Sequence, residues 1–327
     1  MNERGQRFTG IDAIKAAGIA TIVLIHALPP PWDPAATPLE RWFQQVTRFG
    51  VPGFLLASGF LYAAGPADLA ITRRRLRRIL VPYLIASLCA QLWHAAHGVA
   101  SPTGSLWKDL LFASSFGPYY YVFVIAGLVA VSPAFARLPR SALLAATAAL
   151  LAAQWCVEAA ELWPQDFYWH LRNPLLWWAY FAIGWCLRGE RARLERQVAP
   201  RRAAVLAALT GAVVLLTWLG GESAGLPRVA ARTASWLAVY AILAWIGVAA
   251  GFLGRSPRWL RALSDATYAV YLYHLFFLYA AQEAFEAHPR AAGSVLLPFA
   301  AGLVGSLAFV ALGRRLLGAR ARDWLGA

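Results

Sequence analysis

Residues 11–28 read IDAIKAAGIATIVLIHAL. The stretch is long and apolar enough to cross a bilayer, which takes about 20 mostly apolar residues at about 1.5 Å rise each. It nevertheless carries Asp12, Lys15 and His26. An ionisable side chain at membrane depth is costly and faces protein or a water-filled cavity. Lys15 and His26 are eleven positions apart, about three helical turns, so they share one face roughly 16 Å apart along the axis. The segment is expected to be a retained first helix, not a cleaved signal peptide. Asp12 and Lys15 interrupt the apolar core, and no A-x-A site follows.

The remainder of the chain agrees with that reading. Of 327 residues, 60% are hydrophobic and 14% charged, against about 25% charged in soluble domains. Mean hydropathy is +0.52, which excludes an ordinary soluble domain. Fifteen tryptophans suit lipid–water interfaces. Cys89, Cys156 and Cys186 lie in apolar runs without metal or redox spacing and are expected to be small buried hydrophobes.

Ten apolar runs are expected to be helices: 11–29, 46–64, 79–98, 119–136, 141–158, 174–188, 203–219, 233–253, 266–284 and 293–313. They are separated by Pro and Gly clusters such as Pro29-Pro30-Pro31, Gly65-Pro66, Pro139, Pro164, Gly220-Gly221, Pro257 and Pro289. The fold class is all-α, a polytopic membrane protein of about ten spans, and residues 1–327 are expected to form a single integral-membrane domain. The brief apolar segment 105–116 suits an interfacial or re-entrant piece better than a span.

The basic residues then orient the chain. Connections after even-numbered runs, with the termini, hold 22 Lys and Arg; the alternate connections hold six, together with most of the acids, including Glu161, Asp166 and Glu222. The positive-inside rule puts both termini in the cytoplasm. Arg4 and Arg7 then precede the first helix on that side, Lys15 lies near it, and His26 lies toward the outside. The net charge of +14 is topological in this reading, and no nucleic-acid partner is expected.

Four constellations carry chemistry. His26 follows an apolar run and precedes Pro29. Such a histidine is either a packed core residue or a proton carrier, and membrane depth favours the second. Residues 73–83, RRRLRRILVPY, are a basic cluster that serves either as a stop-transfer signal or, through Arg73, Arg74, Arg77 and Arg78, as a phosphate clamp. Residues 49–62, FGVPGFLLASGFLY, suggest a kink at Pro52 and close helix approach at Gly53 and Gly59. Ser58 there is a nucleophile by type, with no base beside it in sequence. In residues 264–279, SDATYAVYLYHLFFLY, His274 falls near mid-membrane beside Tyr268 and Tyr273 and is expected to line a cavity. His94, His97, His170 and His288 lie at or in outer connections, with no HExxH or close ligand pair, and no metal is expected.

These pieces together resemble the acyltransferase 3 family of integral-membrane acyltransferases over nearly the whole chain. Lys15 and His26 fit its frame of a basic residue, ten positions and a histidine. FLLASGFL at 54–61 resembles the end of its second helix, and residues 74–83 its basic third-helix opening. Residues 120–133 and 268–274 resemble its two aromatic phrases. The basic residue is commonly Arg in that family, whereas this chain has Lys15.

The resemblance implies transfer of an acyl group, most often acetyl, from acetyl-CoA or another acyl-CoA at the cytoplasmic face. The acceptor would be a hydroxyl of a glycan or lipid-linked sugar at the outer face, in the inner (plasma) membrane. It names His26 and Lys15 as catalytic candidates and leaves open whether His26 is a base or an acylated relay. Membrane lipids and envelope-biosynthesis proteins are the expected partners. A transporter or flippase for a polysaccharide or lipid-linked sugar is the alternative. Transporters often show internal repeats, and none is visible in this sequence. A third reading, a membrane-embedded sensor or scaffold, predicts no coenzyme A dependence.

Overall fold

The computed structural model describes residues 7–30, 33–65, 68–160, 167–221, 225–286 and 295–326. Arg4, Pro31, Pro66, Glu161, Pro164, Asp166, Glu222, His288 and Pro289, invoked above, lie outside the described residues, as does the start of the run at 293. All regular structure among the described residues is helical.

In chain order the helices are α1 (Thr9–Ala27), α2 (Pro38–Val46), α3 (Gly50–Tyr62), α4 (Leu69–Ala96), α5 (Leu106–Leu111), α6 (Tyr120–Arg137), α7 (Arg140–Ala159), α8 (Phe167–Arg172), α9 (Pro174–Val198), α10 (Arg202–Leu219), α11 (Arg228–Ala250), α12 (Arg258–Glu286), α13 (Leu296–Ala300), α14 (Ser306–Leu317) and α15 (Ala321–Trp324). Within the described residues, every apolar run of the sequence falls on a helical segment.

Seven helical stretches among the described residues are long and apolar enough to cross a membrane: Thr9–Ala27, Leu69–Ala96, Gly117–Arg137, Arg140–Val157, His170–Leu219, Arg228–Leu253 and Leu296–Trp324. The difference from the ten expected has three sources. The helix α3 has only 13 residues. The helices α9 and α10 run together inside one 50-residue stretch. The helix α12 carries Tyr268, Tyr271, Tyr273, His274 and Tyr279 in its middle, which lower its hydropathy.

Local rules explain several boundaries. The Asp68 side chain accepts from the Ile71 N–H at 2.7 Å and caps α4, so the helix starts at Leu69, ten residues before the apolar run, and takes in the arginine cluster. Thr37 and Glu40 form a capping box at the start of α2. Glu40 accepts there from the backbone N–H and then the hydroxyl of Thr37, which holds its carboxyl below the ordinary range. Pro52 sits in the first turn of α3, where no intrahelical N–H is required, whereas Pro82 and Pro133 lie inside α4 and α6.

The chain divides into two compact units. One comprises Met1–Gly65, Ala148–Leu162 and Tyr180–Ser264; the other comprises Pro66–Thr147, Trp163–Ala179 and Asp265–Ala327. In the first, α1 packs on α3 and on α11. The α1–α3 crossing is made by small residues. A Cβ on Gly50 would stand 2.8 Å from Ile22 Cγ1 and 3.1 Å from the Gly18 carbonyl oxygen. The helices α3 and α9 approach more closely still. A Cβ on Gly59 would fall 2.0 Å from the Phe181 carbonyl oxygen, and one on Gly184 would fall 2.0 Å from that of Leu56.

In the second unit, α4 packs on α6, and buried tyrosines tie elements together. The Tyr119 hydroxyl donates to the Leu272 carbonyl at 2.5 Å. That of Tyr271 donates to the Pro118 carbonyl. Of the cysteines, only Cys186 is buried; Cys89 and Cys156 lie on outward helix faces. The expectation of three buried cysteines is corrected on this point. A bilayer takes apolar side chains outward as readily as a core takes them inward, so an apolar run does not tell which way a thiol points.

Candidate functional site

The first unit carries Lys15 and His26 on the single uninterrupted helix α1. Both side chains are half-buried. Their spacing on an unbroken helix keeps them on one face, about 16 Å apart. His26 lies in the last turn. The carbonyls of that turn have no helical donor of their own, and Gln44, itself buried, supplies one. Its Nε2 donates to the Pro29 carbonyl at 2.9 Å and approaches that of Ile25 at 3.4 Å. The histidine therefore stands on a turn pinned from α2.

At the other end of α1 the buried Asp12 carboxylate accepts from the hydroxyls of Ser256 and Ser264, each at 2.7 Å. Arg7 Nη1 lies 3.8 Å from it. Ser58 is half-buried on α3 beside Gly59. It shares the unit with Lys15 and His26.

The second unit carries the other predicted residues. Arg73, Arg74 and Arg77 are exposed and Arg78 is half-buried, all within the first turns of α4. Tyr268 donates its hydroxyl to the Ile79 carbonyl at 2.6 Å, one residue beyond Arg78. This bond fixes the start of α12 to the arginine-bearing turns. His274 is fully buried, and its Nδ1 lies 2.8 Å from the Tyr271 carbonyl. A carbonyl can only accept, so Nδ1 carries the proton and Nε2 is the basic nitrogen. The Tyr273 hydroxyl is buried without a hydrogen-bond partner among the described residues.

Two further polar clusters of the second unit have no counterpart in the sequence reading. Asp109, in α5, is fully buried. Its carboxylate accepts from Gln91 Nε2 at 3.0 Å, from the Thr103 N–H at 3.2 Å and hydroxyl at 2.8 Å, and from the Ser101 hydroxyl. Arg172, also buried, donates to the Phe112 carbonyl at 2.7 Å, the Ala113 carbonyl at 3.1 Å and the Ser114 hydroxyl at 3.2 Å. Both hold the chain between α4 and α6. The available signal was a lone acid inside the apolar stretch 105–116, since a carboxylate at that depth requires donors. At the end of α4, His97 Nε2 contacts the Glu283 carboxylate at 3.3 Å, and the His94 ring meets Phe116 edge-to-face at 5.1 Å.

Lys15 and His26 thus share one membrane-length helix of the first unit, and the arginines cluster in the first turns of a helix of the second. The family comparison supplies a class. The acyltransferase domain model of the acyltransferase 3 family matches residues 8–315, nearly the whole chain, and the chain belongs to that family. It is a multi-pass membrane protein with an acyltransferase domain. No curated protein and no solved structure matches it.

Proposed function

We propose that this protein transfers an acyl group, most often acetyl, from acyl-CoA at the cytoplasmic face to a hydroxyl of a glycan or lipid-linked sugar at the outer face. Its place is then the inner (plasma) membrane, with about ten crossings and both termini cytoplasmic. Membrane lipids surround it, and envelope-biosynthesis proteins supply or receive the acceptor. The observation that carries the reading is Lys15 and His26 on the one face of α1, in a chain of the acyltransferase 3 family.

The chemistry follows from the residues. The imidazole of His26 removes the acceptor hydroxyl proton as the oxygen attacks the thioester carbonyl. The new C–O bond forms, the C–S bond breaks, and the proton passes from His26 to the departing thiolate. The ammonium of Lys15 offsets negative charge on the donor. The exposed guanidiniums of Arg73, Arg74 and Arg77, with Arg78, suit the coenzyme's phosphates. In the second unit the buried ring of His274 and the hydroxyls of Tyr268 and Tyr273, and in the first the hydroxyl of Ser58, are the further candidates for contact with substrate.

The test is acetyl-CoA turnover by purified protein in liposomes with candidate glycans. His26→Ala is expected to lower transfer by about 10²–10⁴-fold with donor binding retained. His26→Gln keeps hydrogen bonding without the basic nitrogen and is expected to fail as well. An active His26→Gln protein would remove the base assignment and favour the transporter alternative. Arg74→Gln with Arg77→Gln is expected to raise the donor KM; a loss of membrane insertion alone would leave the cluster a topogenic signal.

A further inference from the structure

In the second unit α4 has a weak point at Pro82, just beyond its arginine-bearing turns. A proline brings no N–H to the carbonyl four residues before it, and its ring crowds that turn. The helical ladder therefore lacks the rung that would join residues 78 and 82, and helices change direction at such places. Two other segments of the unit meet α4 there. The first is the start of α12, where the Tyr268 hydroxyl donates to the Ile79 carbonyl at 2.6 Å. The Tyr268 ring lies nearly parallel to that of Tyr271, with 6.5 Å between centroids. Tyr271 is itself buried and bonded to the Pro118 carbonyl. The second segment is 318–326. Gly318 ends α14 at φ +54°, a conformation that favours glycine, and α15 then packs on α4 with Ala321 buried. Gly326, at φ +75°, meets both partners of the break: a Cβ there would stand 2.6 Å from Cδ1 of Tyr268 and 3.5 Å from Cβ of Pro82. Leu325 fills the space that a Cβ on Gly313 would take.

An arginine that only orients a chain in the membrane acts through its charge and needs no fixed direction. A phosphate site needs its guanidiniums aimed, because bidentate bonds are directional. Arg73, Arg74 and Arg77 are exposed on the turns before Pro82, so the angle at which those turns meet Pro82 sets where they point. With a rung missing, the helix alone holds that angle weakly, and the Tyr268 bond holds it from outside. We infer that Tyr268 is a positioning residue for the anion site on α4. Through its bond to Ile79, and with Gly326 packed against its ring, it fixes the direction of the arginine-bearing turns toward the phosphates of the donor. The inference rests on the donor reading of that cluster proposed above. It gives the Tyr268 hydroxyl a task other than touching substrate, since its one hydrogen goes to the Ile79 carbonyl.

The experiment uses the full chain in phosphatidylcholine nanodiscs. It reads equilibrium binding of adenosine 3′,5′-bisphosphate, the KM and kcat for acetyl-CoA, and the unfolding midpoint. Tyr268→Phe keeps the ring and removes the hydroxyl. It is expected to weaken nucleotide binding about three- to tenfold, the scale of one hydrogen bond, and to raise the KM by a like factor with kcat little changed. Gly326→Ala keeps the hydroxyl but displaces the ring, and it carries the same test if Tyr268→Phe does not fold. A lowered midpoint with binding and KM unchanged overturns the inference, because the bond is then structural only. A fall in kcat with KM unchanged also overturns it, since Tyr268 would then act on the reacting groups. Arg74→Gln with Arg77→Gln marks the site. Unchanged nucleotide binding in that double variant defeats the donor reading of the cluster and this inference with it. Loss of binding there, with none in Tyr268→Phe, defeats this inference alone. Weakened binding in Tyr268→Phe sustains it whether or not transfer is detected, whereas the proposed function requires transfer.

Discussion

The Ser264 hydroxyl donates to the buried carboxylate of Asp12 at 2.7 Å across 252 positions of sequence. Ser256 supplies a second donor at the same distance. The start of α1 is thereby tied to both sides of the turn that opens α12. Hydrogen bonds to a charged group contribute about 1.5–3 kcal/mol each, and a buried partner left unpaired costs its desolvation. Asp12→Ala is expected to destabilise the protein by about 2–4 kcal/mol, measured by thermal unfolding in detergent. Asp12→Asn, which retains one carbonyl acceptor, is expected to fall between the two. Equal stability in all three proteins would remove Asp12 as a structural tie.

Glycine substitutions separate close helix approach from helix propensity. A Cβ at Gly50 would meet Ile22 and the Gly18 backbone, so Gly50→Ala must push α1 from α3. An overpacking cost of about 1–3 kcal/mol is expected, with a fall in transfer activity because α1 carries Lys15 and His26. Nothing lies within 4 Å of a Cβ at Gly211, in α10. Gly211→Ala is therefore expected to stabilise by about 0.5–1 kcal/mol and leave activity unchanged. Unfolding midpoints of the pair, measured together, check both signs.

Much of this architecture was legible because hydropathy and proline–glycine punctuation act locally. Among the described residues each apolar run lies on helix, although only seven stretches are long and apolar enough to span, and Lys15 and His26 fall on one unbroken segment. The helix ends were less legible. Arginine is a good helix former, so α4 begins ten residues before its apolar run and α9 continues beyond its own through Arg191, Arg193 and Arg196. What sequence spacing did not give were pairings set by the tertiary fold. The donors to Asp109 and Asp12, the bonds of Arg172 and the bond from Tyr268 to Ile79 join residues far apart in the chain or held by a turn. No periodicity announces such partners.

Two tyrosines of the second unit provide a matched comparison. The Tyr119 hydroxyl is bonded to the Leu272 carbonyl, while that of Tyr273 is buried without a partner among the described residues. Tyr119→Phe is expected to cost about 1 kcal/mol. Tyr273→Phe is expected to be neutral or mildly stabilising by chemical denaturation, since it removes a hydroxyl whose burial is uncompensated. If Tyr273→Phe leaves stability intact yet raises the acceptor KM, its hydroxyl serves the substrate path.

Orientation can be read by labelling single cysteines in a protein whose three native cysteines are replaced. Ala36 lies in an outer connection by the charge rule but is buried; Ala35 beside it is exposed. A cysteine at position 35 is expected to react with an impermeant thiol reagent added outside intact cells. One at the exposed Ala70, at the start of α4, is expected to react only after permeabilisation. The opposite pattern would invert the topology and move the donor side with it.

The reciprocal contact of α3 and α9, where Gly59 faces the Phe181 carbonyl and Gly184 faces that of Leu56, leaves main chain against main chain. Where side chains separate two helices, a rotamer change can widen or narrow the gap. Here there is no compliant layer to adjust. Displacement of α9 at this point must be taken up as pivoting, and the contact is a fulcrum. Arg188 lies one turn beyond Gly184 on α9, so the basic end of that helix starts from a point that bears directly on α3.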